Sequence, residues 1–154
     1  MLLIFAGLAL IILDQAVKGW VVRNIAFGSA EIPLIPGVLS LTRVHNDGAA
    51  FSFLSGGNAK WLFIALALLF AAAVFTVLTA EFVKGKTEKI CLAMMAAGGL
   101  ANCIDRFVYG YVVDMFRIEL FNFAVFNVAD AFITVFTFIF AVKVLFSDDS
   151  KRES

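Results

Sequence analysis

The sequence predicts an α-helical integral membrane protein with four transmembrane helices. Three observations lead there. Hydrophobic residues make up 62% of the 154, and the mean hydropathy is +0.98, far above the level of soluble domains. Eighteen Phe stand against only two Pro. Four apolar segments can be drawn, each close to the twenty residues that a helix needs to cross a bilayer. The length fits one domain, 1–154.

The spans run from about Leu2 to Val22, Trp61 to Ala80, Ile90 to Tyr109 and Phe126 to Phe146. Only the second is free of charge; the others carry ionisable residues, so function is to be sought at those positions. The opening MLLIFAGLALIIL has no basic n-region and no small-x-small cleavage site after it, so it is expected to be a retained anchor. No Leu-rich lipobox precedes an N-terminal Cys, and the chain is not expected to be a lipoprotein itself. Lys84, Lys86 and Lys89 lie between spans two and three, and Lys151 and Arg152 in the tail. The positive-inside tendency places both in the cytoplasm, with both termini. Segments 23–60 and 110–125 then face outward. The bias is modest, because Arg23, Arg43, Lys60 and Arg117 lie on the outer side.

The outer segments have structure of their own. IPLIPGVLSLTRVHN alternates roughly between apolar and other residues after its prolines, which suggests a strand. NDG follows as a turn signal, and LSGGN at 54–58 reads as a flexible lead into the second span. VVDMFRIELFNF also alternates, with Phe116, Ile118 and Leu120 on one face and Met115, Arg117 and Glu119 on the other. It is expected to be extended and to lie at the membrane surface.

Several function classes are set aside. The formal net charge is zero and no basic patch is present, so no nucleic-acid partner is expected. Cys91 and Cys103 would lie about 18 Å apart along one helix, too far for a disulfide. Their spacing does not suit a zinc site either. They are read as small buried hydrophobes. His45 is the only histidine, and with no HExxH or second His a metal site has no basis in the sequence. No metal or cofactor is expected.

The polar residues of the spans cluster by face. Asp14 and Lys18 stand at i and i+4 with the acid first, the favourable order for a pair. They are read as a structural ion pair near the outer end of span one, or as a pair that positions substrate. In GGLANCIDR, the residues Gly98, Gly99, Asn102, Asp105 and Arg106 share one side of a helix. That side reads as a close helix–helix seam that turns polar toward the outer surface. Asn127, Asp130, Thr134 and Thr137 lie along one side of span four. Asp130 falls in or near the first turn, where the helix dipole favours a negative charge. A cap charge does not account for the rest of that stripe, nor for Asp114 in the apolar VVDMF. Asn46 either forms a turn or binds a peptide backbone.

Two carboxylates at the outer surface, Asp114 and Asp130, suit a dyad in which one acid keeps a proton and the other acts as base. Such a pair activates water against a peptide bond without a metal. On the residues alone, a transporter or channel with buried acids is equally plausible, and polar stripes also serve as packing contacts.

DQAVK, VHNDGAAFSF, GGLANCIDR, VVDMF and FNVAD occur in this order between residues 14 and 133. Together they resemble the bacterial lipoprotein signal peptidase family, signal peptidase II, the aspartic peptidases of the inner membrane. The resemblance implies that Asp114 and Asp130 are the catalytic pair. It implies that Asp14, Asn46, Asn102, Asp105, Arg106 and Asn127 shape the site and hold substrate, with Lys18 beside Asp14. It implies a small extracytoplasmic β-cradle over 23–60. The substrate would be a prolipoprotein with a diacylglyceryl-Cys, cut on the N-terminal side of that Cys at the outer leaflet. Membrane lipid and a globomycin-type inhibitor would be the other partners, and the chain is expected to act as a monomer. Where the family commonly has Gly before the Asn of the third-span motif, this chain has Ala101, and the segment between the two acids is short for the family.

Overall fold

The structure, a computed structural model, describes residues 1–48, 59–121 and 123–146. The expectations for LSGGN, for the end of VHNDGAAFSF and for Lys151 and Arg152 lie outside the described residues. Four helices are long and apolar enough to cross a membrane: α1 (Leu2–Asn24), α2 (Ala59–Thr79), α3 (Lys86–Val108) and α4 (Val128–Phe146). Their bounds lie within a few residues of those read from the sequence. The chain is a multi-pass membrane protein with a small sheet of three antiparallel strands, β1 (Ile32–Ile35), β2 (Leu39–Asn46) and β3 (Val112–Ile118).

In lipid, apolarity drives no helix inward, and the polar helix is the one that needs enclosure. α3 is the least apolar span, with mean hydropathy 1.3 against 2.7 for α2, and it is the most enclosed. It packs against α1, α2 and α4. The large side chains of the other helices, such as Phe75 and Phe138, point outward. Leu10, Met94 and Ala97 form the apolar seam between α1 and α3. On the GGLANCIDR face, a Cβ on Gly98 would stand 2.7 Å from Ile133 Cγ1 and 3.1 Å from the carbonyl oxygen of Ala129. α3 and α4 therefore touch backbone to backbone at Gly98. Gly99 does not join that seam, since nothing lies within 4 Å of where its Cβ would be.

The segment read as one strand is a hairpin. Pro36 and Gly37 turn the chain between β1 and β2, with the Val38 N–H donating to the Ile35 carbonyl at 2.9 Å. Pro sets the first central position of such a turn, and Gly37, at φ +73, takes the left-handed second one. β2 then pairs with β3, with Val44 opposite Asp114 and Asn46 opposite Val112. Gly110, at φ +85, ends α3 and lets the chain turn into β3.

β3 follows the expected alternation only in its second half. Val112, Val113, Asp114 and Met115 are all buried. One face of this stretch packs on Val21, Ile25 and Leu41, and the other is covered by the polar ends of α3 and α4. The chain then folds back, and Phe126 pairs with Phe116 in both directions, at 2.8 and 3.0 Å. That return sets Asn127, the residue before α4, beside Asp114.

Gly98→Ala should lower thermal stability in detergent by about 1–3 kcal/mol, the usual cost of overpacking. Gly99→Ala, on the same helix, should be neutral or slightly stabilising. The comparison of the two melting temperatures checks the seam, since a shared helix-propensity effect would move both the same way.

Candidate active site

The site begins on α1. An acid and a lysine four residues apart share a helix face, and Lys18 Nζ lies 2.8 Å from Asp14 Oδ2. It also lies 2.9 Å from Asp105 Oδ2 on α3 and donates to Asn102 Oδ1 at 2.9 Å. All four residues are buried. The pair is thus not isolated but shared with α3. Asp14 stands ten residues before Asn24, about 15 Å along the axis. The reason is the depth at which α4 begins: the Ala129 N–H donates to Asp14 Oδ1 at 2.9 Å, so an α1 carboxylate takes up one of the free N–H groups of the α4 first turn.

α4 caps itself as well. Asn127 Oδ1 accepts the Asp130 N–H at 2.9 Å, and Asp130 Oδ2 accepts the Asn127 N–H at 3.2 Å. That reciprocal pair is a capping box built from Asn and Asp. The cap reading of Asp130 is therefore right for one of its oxygens. The other, Oδ1, accepts from Asn102 Nδ2 at 2.8 Å. The polar stripe ends there, because Thr134 and Thr137 are exposed on the outer side of α4.

Asp114 is held from two sides. Asn127 Nδ2 donates to Oδ1 at 2.7 Å, and Asn46 Nδ2 donates to Oδ2 at 2.9 Å. Asn46 also forms the turn, accepting the Gly48 N–H on its own Oδ1 at 3.0 Å. The turn bond therefore aims the amide nitrogen at the acid. Asn127 joins the two carboxylates, since its side chain donates to Asp114 and to Asn102 Oδ1 and its backbone binds Asp130. Asp114 is 1% exposed. Burial, resisted by the Asn46 and Asn127 bonds and assisted by the negative charge of Asp130, lifts its pKa to about 6.

Asp105 orients the strand that carries Asp114, because its Oδ2 accepts the Val113 N–H at 3.1 Å. Arg106 lies over the ring of Phe63, 4.7 Å from its centroid, a cation–π contact. It reaches the carbonyl of Asn102 at 3.4 Å. Every site residue read from the sequence thus belongs to one connected group. Gln15 was missed: its amide donates to Asp105 Oδ1 at 2.8 Å and to the Ala101 carbonyl at 3.2 Å. The signal was an amide inside an apolar span. His45 takes no part in this network; it stacks between Phe27 and Tyr111. Cys91 and Cys103 are free thiols. Among the described residues, no three His, Cys, Asp or Glu side chains converge as metal ligands do.

A four-span bundle with a small sheet encloses two carboxylates joined through Asn127, with Asp130 only half-buried; this is a multi-pass membrane protein with a buried polar site. The comparisons with known proteins agree on the family. The signal peptidase (SPase) II family matches residues 6–146. A lipoprotein signal peptidase of Streptococcus thermophilus is 46% identical over 130 residues, covering 84% of this chain and 83% of that protein. One from Latilactobacillus sakei is 40% identical over 134 residues, covering 87% of each. A solved bacterial membrane enzyme superposes with TM-score 0.86 at 26% identity, over 95% of this chain and 93% of its own. The chain belongs to the signal peptidase II family.

Lys18→Met should leave Asp14 and Asp105 buried without their cation and cost about 3–5 kcal/mol. Thermal unfolding in detergent measures it; a melting temperature equal to that of the wild type would mean that the carboxylates do not depend on the lysine.

Proposed function

We propose that this protein removes the signal peptide from diacylglyceryl-modified prolipoproteins, cutting on the N-terminal side of the lipidated Cys. Asp114 and Asp130 activate the attacking water. The observation that carries this reading is that one residue, Asn127, binds both carboxylates, while each keeps a donor of its own from Asn46 or Asn102. Membership of the family and the lipoprotein substrate named for its relatives supply the substrate class.

The two acids share one proton. The ionised acid takes a proton from water as the oxygen attacks the scissile carbonyl carbon, and the protonated acid stabilises the developing oxyanion. A proton then passes to the Cys amide nitrogen and the C–N bond breaks. The signal peptide leaves as a carboxylic acid, and the lipoprotein keeps a free N-terminal amine on its Cys. The lipid on that Cys fixes the register of the chain, an orientation effect. The site faces the outer leaflet of the bacterial cytoplasmic membrane, with both termini in the cytoplasm, and one copy of the chain suffices. Globomycin-type inhibitors would compete for the same acids. A proton-relay role is disfavoured because the buried polar residues of the spans, Asp14, Lys18, Asn102 and Asp105, form one cluster and not a path, and α1 carries no charged side chain before Asp14.

Cleavage of a diacylglyceryl prolipoprotein in detergent tests the reading. Asp114→Asn and Asp130→Asn, each checked for folding, should lose activity by about 10²–10⁴-fold. Near-normal cleavage by either folded variant would reduce that acid to a helix or strand charge.

The pH dependence has a definite sign. Asp114 has a raised pKa, so its proton is present below about 6 in the free protein and is lost as pH rises through that value. A substrate that excludes water moves this point higher by the same desolvation. The alkaline limb of kcat/KM is the loss of the shared proton. Asn46→Ala removes a bond that favours the ionised form and should shift that limb to higher pH; a shift to lower pH would contradict the assignment.

A further inference from the structure

The ring of His45 lies between two aromatic rings, Phe27 at 4.2 Å and Tyr111 at 3.9 Å between centroids, with interplanar angles of 22° and 20°. Tyr109 extends the row at 5.9 Å from Tyr111. The three rings come from three places: Phe27 follows α1, His45 is on β2 and Tyr111 leads into β3. His45 Nε2 is buried and has no hydrogen-bond partner among the described residues. The titratable or charged neighbours of the ring are Arg43 on its own strand and Tyr111; no carboxylate faces it among the described contacts. Burial first, and the charge of Arg43 second, lower its pKa. The ring is neutral and serves as an aromatic plate, not as a base.

Its position gives the plate a task. His45 pairs with Val113 and is followed by Asn46, which pairs with Val112. Side chains alternate along a strand, so His45 points behind the sheet while Asn46 points to Asp114. Asn46 is the last residue of β2, and a strand end frays unless something holds it. Gly48 fixes the direction of the Asn46 amide, pairing with Val112 ties the strand end to β3, and the stacked ring of His45 adds a side-chain hold next to it.

We propose that His45 is a positioning residue for Asp114: clamped between Phe27 and Tyr111, it holds the end of β2 so that Asn46 reaches the acid. The consequence for catalysis rests on the function proposed above; the clamp itself does not. Its test therefore reads Asp114 directly, through the pH titration of its carboxyl infrared band, assigned by the loss of that band in Asp114→Asn.

His45→Ala should raise the titration point of Asp114 by about one unit, tenfold in the ionisation constant, as Asn46→Ala does. His45→Phe, which keeps a stacked ring, should titrate as the wild type. The double variant His45→Ala/Asn46→Ala should move no further than Asn46→Ala alone, because both act through one bond. A folded His45→Ala with an unchanged titration, or shifts that add in the double variant, would overturn the proposal. Should His45→Ala not fold, Phe27→Ala opens one side of the clamp at an exposed ring. It should give a smaller upward shift, and no shift would overturn the proposal. Variants that show these shifts while the wild type cleaves no prolipoprotein would sink the peptidase role of the acids and leave the clamp standing.

Discussion

One ammonium group, that of Lys18, holds the architecture together. It sits buried among Asp14, Asp105 and Asn102. Each of its partners then reaches a different element. Asp14 takes a backbone N–H of α4, Asp105 takes one of β3, and Asn102 donates to Asp130. A charge in the membrane interior is tolerated only when it is paired and its hydrogen bonds are complete. Meeting that demand fixes α1, α3, α4 and β3 relative to one another. The positions of Asp114 and Asp130 follow from that arrangement.

The two acids are treated differently by the same scaffold. Asp130 spends one oxygen on the α4 cap and remains half-buried. Asp114 is closed in by strands and helices, and its two oxygens receive amides rather than cations. Neutral donors favour a carboxylate less strongly than a lysine would, so burial is able to lift its pKa. Lys18 stands one residue further back, paired with Asp14 and Asp105. The scaffold separates the charge that stabilises the fold from Asp114, whose pKa burial lifts to about 6.

Much of this was legible in the sequence. Composition and segment length gave the spans, because lipid imposes length directly. Polar residues inside apolar runs gave the site, because each such residue needs a partner, and all nine found one. What stayed hidden depends on distance in space. That Asp14 takes a backbone N–H of α4 stayed hidden, because nothing in α1 reveals where α4 begins beside it. The hairpin at Pro36-Gly37 was written in the sequence but masked by the alternation on both sides of it. Gly98 and Gly99 are indistinguishable as letters, and only the position of Ile133 separates them. Thr134 and Thr137 share a helical side with Asp130, yet that side turns from protein to lipid within two turns.

The pairing of β2 with β3 joins segments separated by two complete spans. The first half of the sheet leaves the ribosome long before the second, and its partner strand arrives only after α2 and α3 have been threaded through the bilayer. Asp130 arrives later still, at the head of the last span. Until that span is inserted, the pair of acids does not exist as a unit, although the ion cluster of α1 and α3 can already close. On the role proposed for the two acids, a growing chain stays inert toward peptide bonds, its own included, until α4 is in place.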